Sequence, residues 1–356
     1  MTSSKMITNQ GLSALVAELV GAGVLVTAPA RSADGKVDYR PVNRLDEAVL
    51  DGDLPRRSLK ELFLPPTEPL FSFRMVRSDV EIGPVPTSFP PHVILGARPC
   101  DAAGVEILDK VMGWDYRDEL WFGRREATTI VSIVCKGLDG SCFCKAIGHG
   151  PDSRRGADLL LTPMTEGFAV EVVTPKGEAF VSAHAAQFGA ALDAAAVEER
   201  RRALCGTRAE PVTAPLAGVG AWLFDHFEDP LWNGLALRCH GCGACASVCP
   251  TCHCFDIVDE PDGVTHGTRR RNWDTCQTGR FTLHASGHNP RADQNARFRQ
   301  RVMHKFSIYP ARFGEVLCTG CGRCSRACPG GMDLPEVLQR IGILAGAAAP
   351  GAGGGV

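Results

Sequence analysis

The chain has no surplus of basic charge, no long apolar run and no phosphate-cradling glycine loop, and each absence removes a class of function. Thirty-eight lysines and arginines stand against forty acidic residues, giving a formal net charge of −2. A general nucleic-acid binder carries a basic excess, so that class is set aside. The N-terminal stretch MTSSKMITNQGLSALVAELVGAGVLV has no basic segment leading into an apolar core, and Glu18 interrupts its apolar residues. It reads as a short amphipathic helix followed by a strand, with no signal peptide, twin-arginine signal or membrane span, so a cytoplasmic setting is expected. No Gly-x-Gly-x-x-Gly follows a strand signal, and Gly-x4-Gly-Lys-Ser/Thr does not occur; Gly218 and Gly220 come nearest but lack the third glycine. No nucleophile–base pair stands out, and no catalytic residue is assigned.

What the chain does have is cysteine, sixteen in 356 residues. In a reducing compartment structural disulfides are rare, so clustered thiols point to metal. The remaining composition, 44% apolar, is ordinary for a folded protein and leaves room for two domains.

The expected fold class is α+β: an N-terminal α/β domain over 1–225, a second, cysteine-rich domain over 226–345, and a disordered Gly/Ala/Pro-rich tail over 346–356. In the first part, helical spacing at Leu12 to Val20 precedes a strand at Val24 to Thr27. A second apolar run, His92 to Ala97, stops at Arg98-Pro99-Cys100-Asp101, where Asp101 is the predicted N-cap of a helix. A strand over Thr129 to Val134 ends at Cys135. DLLLTPM and FAVEVVT form a hairpin around Glu166-Gly167, and an Ala-rich helix is predicted from His184 to Ala203. From about Trp222 cysteine, arginine and histidine rise while strand signals fade, which places the boundary within 222–235.

The decisive pattern is duplicated. Cys239, Cys242, Cys245 and Cys249 precede Pro250, and Cys318, Cys321, Cys324 and Cys328 precede Pro329. Both copies follow the Cys-x2-Cys-x2-Cys-x3-Cys-Pro spacing of bacterial [4Fe–4S] ferredoxins, in which the fourth cysteine serves the other cluster. One cluster is therefore assigned to Cys239, Cys242, Cys245 and Cys328, and the second to Cys318, Cys321, Cys324 and Cys249. Gly241, Gly243, Gly320 and Gly322 give the loops the freedom to wrap a cubane. A zinc site would leave the third close cysteine of each copy unexplained. CPTCH, at Cys249 to His253, also matches a haem-attachment pattern, but Cys249 already belongs to the duplicated motif.

Four further cysteines, Cys100, Cys135, Cys142 and Cys144, are expected to hold a third [4Fe–4S] cluster. Cys100 and Cys135 lie at predicted strand ends, and Gly137 and Gly140 allow the loop that returns Cys142 and Cys144. Zinc, or no metal at all, are the alternatives for this group. Cys252, Cys254 and Cys276 lie near the ferredoxin motifs without an assigned role. Cys205 is read as core, and Arg269-Arg270-Arg271 as a solvated face.

Sixty-nine positions separate Cys249 from Cys318, with a helical stretch RADQNARFRQRVMHKF between them. This spacing resembles the alpha-helical ferredoxin arrangement of fumarate reductase and heterodisulfide reductase subunits, and the resemblance implies an alpha-helical dicluster ferredoxin domain over 226–345. Several phrases resemble the beta-subunit family of cytoplasmic sulfhydrogenases and of anaerobic sulfite reductase. They are SLKELFLPPTEPLFSF, GARPCD, CFC followed by GHGPD, CPTCHCFD, and NWDTC followed by GHNPRA. Pro65-Pro66 departs from the expected single proline and glutamine. The resemblance implies an electron-transfer iron–sulfur subunit that makes no bonds itself. It would relay electrons between a subunit binding FAD and NAD(P)H, of gamma type, and a nickel–iron hydrogenase module or a sirohaem reductase subunit. The chain's lack of paired terminal Cys-x2-Cys sets agrees with a nickel–iron site elsewhere. The rival reading is a redox enzyme whose own α/β domain binds flavin. No nucleic-acid and no membrane partner is expected.

Overall fold

The computed structural model describes residues 4–52, 54–136, 140–206 and 211–347. They form two compact units. The first comprises Met1–Lys60, Ser88–Pro211 and the short piece Thr319–Cys321; the second comprises Glu61–Thr87, Val212–Cys318 and Gly322–Val356. The expected tail lies almost entirely outside the described residues.

In chain order the strands are β1 (Lys5–Thr8), β2 (Leu25–Arg31), β3 (Val37–Pro41), β4 (Thr67–Val76), β5 (Asp79–Pro84), β6 (His92–Ala97), β7 (Thr128–Ile133), β8 (Leu159–Met164), β9 (Gly167–Val172), β10 (Phe255–Pro261) and β11 (His266–Trp273). The first unit is built on a seven-stranded sheet in the order β1-β9-β8-β7-β6-β2-β3. Its centre, β2-β6-β7-β8, is parallel. Continuous apolar runs such as HVILGA are what a strand covered on both faces requires. The helix Asn9–Gly21 buries Leu12, Leu15, Val16 and Leu19 against this sheet, and Thr8 caps it by accepting from the Gly11 amide at 2.9 Å. The hairpin pairs β8 with β9 around the predicted turn.

Two local expectations need correction. The helix behind GARPCD spans Pro99–Met112 and its N-cap is Arg98, not Asp101. Pro99, with its φ already set, starts the helix early. Asp101 falls in the buried first turn, where the Tyr39 hydroxyl donates to it at 2.7 Å and itself accepts from the Arg98 amide at 3.0 Å. The helix expected from His184 to Ala203 is shorter: Ala185–Gln187 forms only a single 3-10 turn, and the helix itself runs Ala194–Cys205, capped by Asp193. A separate helix, Pro175–Ala183, capped by Thr174, precedes the expected range.

The second unit is not wholly helical. Strands β10, β11, β4 and β5 form an antiparallel sheet in that order, so residues 61–87 join a unit whose other parts begin at 212. Glu68 on β4 faces Arg271 on β11 in register, and the two form a buried ion pair. This sheet was illegible because its two hairpins lie almost two hundred residues apart. The helices of the unit include Val219–Asp225, Leu231–Ala236, Gln294–Met303 and Leu334–Ala347. Among the described residues no helix is long and apolar enough to cross a membrane.

Candidate metal centre

The two cysteine loops have the same backbone. Gly241 and Gly243 have φ of +67° and +76°, and Gly320 and Gly322, at the same motif positions, have +63° and +70°. Each second glycine starts a one-turn helix, Ala244–Ser247 or Arg323–Arg326, and these two turns pack together. A Cβ at Gly241 would stand 3.1 Å from the Gln277 carbonyl, at a φ of +67° that L side chains rarely adopt, so a substitution there is strained.

In the second unit, Cys239, Cys242, Cys245 and Cys328 line one cavity. Cys324 and Arg301 reach its wall. Hydrogen bonds point at the sulfurs: Gln294 Nε2 donates to Cys239 Sγ at 3.2 Å and the Met332 amide to Cys328 Sγ at 3.3 Å. Cys249 and Cys318 are buried, each 7% exposed. Cys249 Sγ accepts from the Thr251 amide at 3.5 Å and from Lys305 Nζ at 3.4 Å. Cys321 belongs to the piece 319–321 of the first unit, where its carbonyl accepts from Cys142 Sγ at 3.9 Å. In the same unit the Phe143 amide donates to the Gly320 carbonyl at 2.8 Å.

Among the described residues, no three His, Cys, Asp or Glu side chains converge on a single-ion site. A tetrahedral zinc site needs its sulfurs about 2.3 Å from one point. Thiols ringing a cavity, with N–H donors aimed at them, suit the larger body of a four-iron cluster. The residues present therefore fit the group that their spacing suggests.

The remaining cysteines fall into two sets. Near the second loop, Cys249 and Cys252 are hydrogen-bonded thiols, as are Cys254 and Cys276. The bond from Cys254 brings Cys276 down to about 6 and pushes Cys254 itself up. In the first unit, Ala97 of β6 pairs with Ser132 of β7, and Cys100 and Cys135 each lie three residues past that pair. The Cys135 amide donates to the Pro151 carbonyl at 2.7 Å. Cys142 and Cys144 precede the short turn Lys145–Ile147, and Gly137 lies outside the described residues. Cys205 is not core: it ends the helix Ala194–Cys205, half-exposed, within electrostatic reach of Cys135. Burial pushes its thiol up to about 11.

The arginine run is also not a uniformly solvated face. Arg269 pairs with Asp259 at 2.7 Å and Arg270 with Glu260 at 2.8 Å, while Arg271 is buried against Glu68. The residues that sequence reasoning passed over are Gln277, Gln294, Thr251, Arg301 and Lys305. A signal for the last two existed: Phe298, Arg301, Val302 and Lys305 share one helical face, placing two cations among apolar residues. Burial opposes the charge on Lys305, but the thiols of Cys249, Cys252 and Cys318 outweigh it and hold the ammonium above its ordinary range.

The model of the 4Fe–4S dicluster domain matches residues 238–332, which include both cysteine motifs. The chain is also 32% identical over 308 residues to Sulfhydrogenase 2 subunit beta of Pyrococcus furiosus, covering 85% of this chain and 88% of that one. The chain belongs to the sulfhydrogenase beta-subunit family. No solved structure matches it. As a sulfhydrogenase beta-family chain it carries its dicluster match wholly in the C-terminal third, where Arg301 and Lys305 also lie.

Proposed function

We propose that this chain is an electron-transfer subunit that holds two [4Fe–4S] clusters inside a multi-subunit oxidoreductase. The observation that carries the reading is the meeting of Cys239, Cys242 and Cys245 with the distant Cys328 around one cavity, which Cys324 of the second loop also lines. Three thiols from one loop and the last from the other is the exchange that two-cluster ferredoxins use. The first cluster then takes Cys239, Cys242, Cys245 and Cys328, and the second takes Cys318, Cys321, Cys324 and Cys249. Cys100, Cys135, Cys142 and Cys144 are the ligands proposed for a third.

When bound, such a cluster accepts and returns one electron at a time. The chain's own part is to supply thiolates, to direct N–H groups at Cys239, Cys249 and Cys328, and to keep Cys249 and Cys318 away from water. Membership of the sulfhydrogenase beta-subunit family supports a position between a gamma-type subunit binding FAD and NAD(P)H and a nickel–iron hydrogenase module.

Anaerobic iron and sulfide quantification tests the cluster count: about eight irons per chain correspond to two clusters and about twelve to three. Cys249→Ala and Cys245→Ala test the exchange. They should abolish different EPR signals, because the two residues serve different clusters; loss of one and the same signal in both variants refutes the assignment. Co-purification with a nickel–iron subunit is expected, and isolation with a sirohaem protein instead would move the chain to a sulfite-reducing complex.

A further inference from the structure

Two cations lie buried in the second unit close to its cysteines. Lys305 is 2% exposed and Arg301 is 5% exposed. Among the described residues neither forms an ion pair with an aspartate or glutamate; the opposing charges around both are those of cysteine thiols, and Arg301 adds a like charge near Lys305. Lys305 spends its three donors on Cys249 Sγ at 3.4 Å, Thr251 Oγ1 at 3.0 Å and the Leu317 carbonyl at 2.9 Å. Arg301 is less satisfied: its Nε and Nη2 are buried with no hydrogen-bond partner, although the side chain lines the cysteine cavity. A guanidinium cannot shed its proton, and an unpaired buried charge costs several kcal/mol. Such a residue persists where an anion compensates it.

The backbone is shaped to deliver both. The helix Gln294–Met303 carries Arg301, and the chain then widens into a π turn over His304–Ile308 that carries Lys305. Single π turns within helices recur at functional sites because they re-aim side chains. Arg301 lies among Cys245, Cys324, Cys252 and Cys249, thiols of both loops, whereas Lys305 lies beside Cys249, Cys252 and Cys318.

We infer that Arg301 and Lys305 are fixed counter-charges that set the reduction potentials of the two clusters. Lys305 acts on the cluster ligated by Cys249, and Arg301 acts on both. The inference rests on the reading that these thiols hold clusters. Reduction adds one negative charge to a group that is already anionic. A cation a few ångströms away, in surroundings from which water is excluded, favours that added charge and raises the midpoint. The N–H···S bond from Lys305 to Cys249 works in the same direction. Both are tuning residues: neither contacts a substrate, and neither is itself oxidised or reduced.

The test is an anaerobic EPR-monitored redox titration of the full chain and of Lys305→Met, Lys305→Gln and Arg301→Gln, with iron and sulfide measured on the same samples. Lys305→Met should lower the midpoint of one signal. The ratio of reduced to oxidised cluster at fixed potential should fall at least tenfold, a shift of about 59 mV for a one-electron couple. Lys305→Gln, which keeps an N–H donor but no charge, should retain most of that shift. Arg301→Gln should lower both signals. Variants with full iron content and unmoved midpoints overturn the inference. If Lys305→Met fails to load iron, Lys305→Gln decides: a lowered midpoint supports the role and an unmoved one ends it. An unaltered chain without iron or sulfide overturns the underlying cluster reading instead, so the two failures are distinguishable.

Discussion

Removing Glu68 gives a direct measure of whether residues 61–87 belong to the cluster-bearing unit. Its side chain is 2% exposed and that of Arg271 is 5% exposed, so the pair lies beyond solvent screening. Glu68→Ala breaks the buried ion pair with Arg271, a change that costs about 3–5 kcal/mol. Because β4 and β11 are in register at these two residues, the loss falls on the ladder between them. Each 1.36 kcal/mol is a factor of ten in an opening equilibrium, so hydrogen-exchange protection of β11 should drop roughly 150- to 5,000-fold. The measurement is made on the anaerobic holoprotein by mass spectrometry, comparing peptides from 266–273 with peptides from the first unit. The double variant Glu68→Leu with Arg271→Leu should recover much of the loss, because an apolar pair needs no compensation. Unchanged protection of β11 in Glu68→Ala, or strictly additive losses in the double variant, would refute the argument.

Two more predictions concern the first unit. Burial lowers His92 from 6.5 to about 4, so between those values the unfolded chain binds a proton that the folded chain refuses. The contribution of this group is therefore complete above about pH 6.5 and declines as the pH falls towards 4, by about 3 kcal/mol; because burial also lowers His304 to about 3 in both proteins, thermal unfolding at pH 7.5 and 4.5 should show a loss that is larger in the parent than in His92→Gln. Tyr39→Phe removes the hydroxyl that joins the Arg98 amide to the buried Asp101 carboxylate, and should cost about 1–3 kcal/mol in denaturant unfolding while leaving β6 intact. A cost below about 0.5 kcal/mol would show that water replaces the hydroxyl.

Part of this protein could be read residue by residue because its signals are local. The spacing of Cys239 to Cys249 and of Cys318 to Cys328 is a short-range pattern, and the matching positive φ angles of Gly241, Gly243, Gly320 and Gly322 follow from it. The strand over His92–Ala97 and the hairpin around Glu166-Gly167 declare themselves through apolar runs and turn residues. Asp101 misled because two helix-start signals competed within GARPCD and that of Pro99 dominated. The helix expected from His184 was drawn too long because helix-favouring alanines mask the later start, capped by Asp193.

By itself, the sequence determined the α+β class, the duplicated loops and their chemistry, since each depends on neighbours a few residues apart. Tertiary structure alone decided that β4 pairs with β11 and so joins the two hairpins, β4-β5 and β10-β11, into one sheet. It also decided that Arg301 and Lys305 are buried among thiols rather than solvated. The physical reason is the same in each case: burial and charge compensation depend on partners brought together by the fold from positions that no sequence window spans.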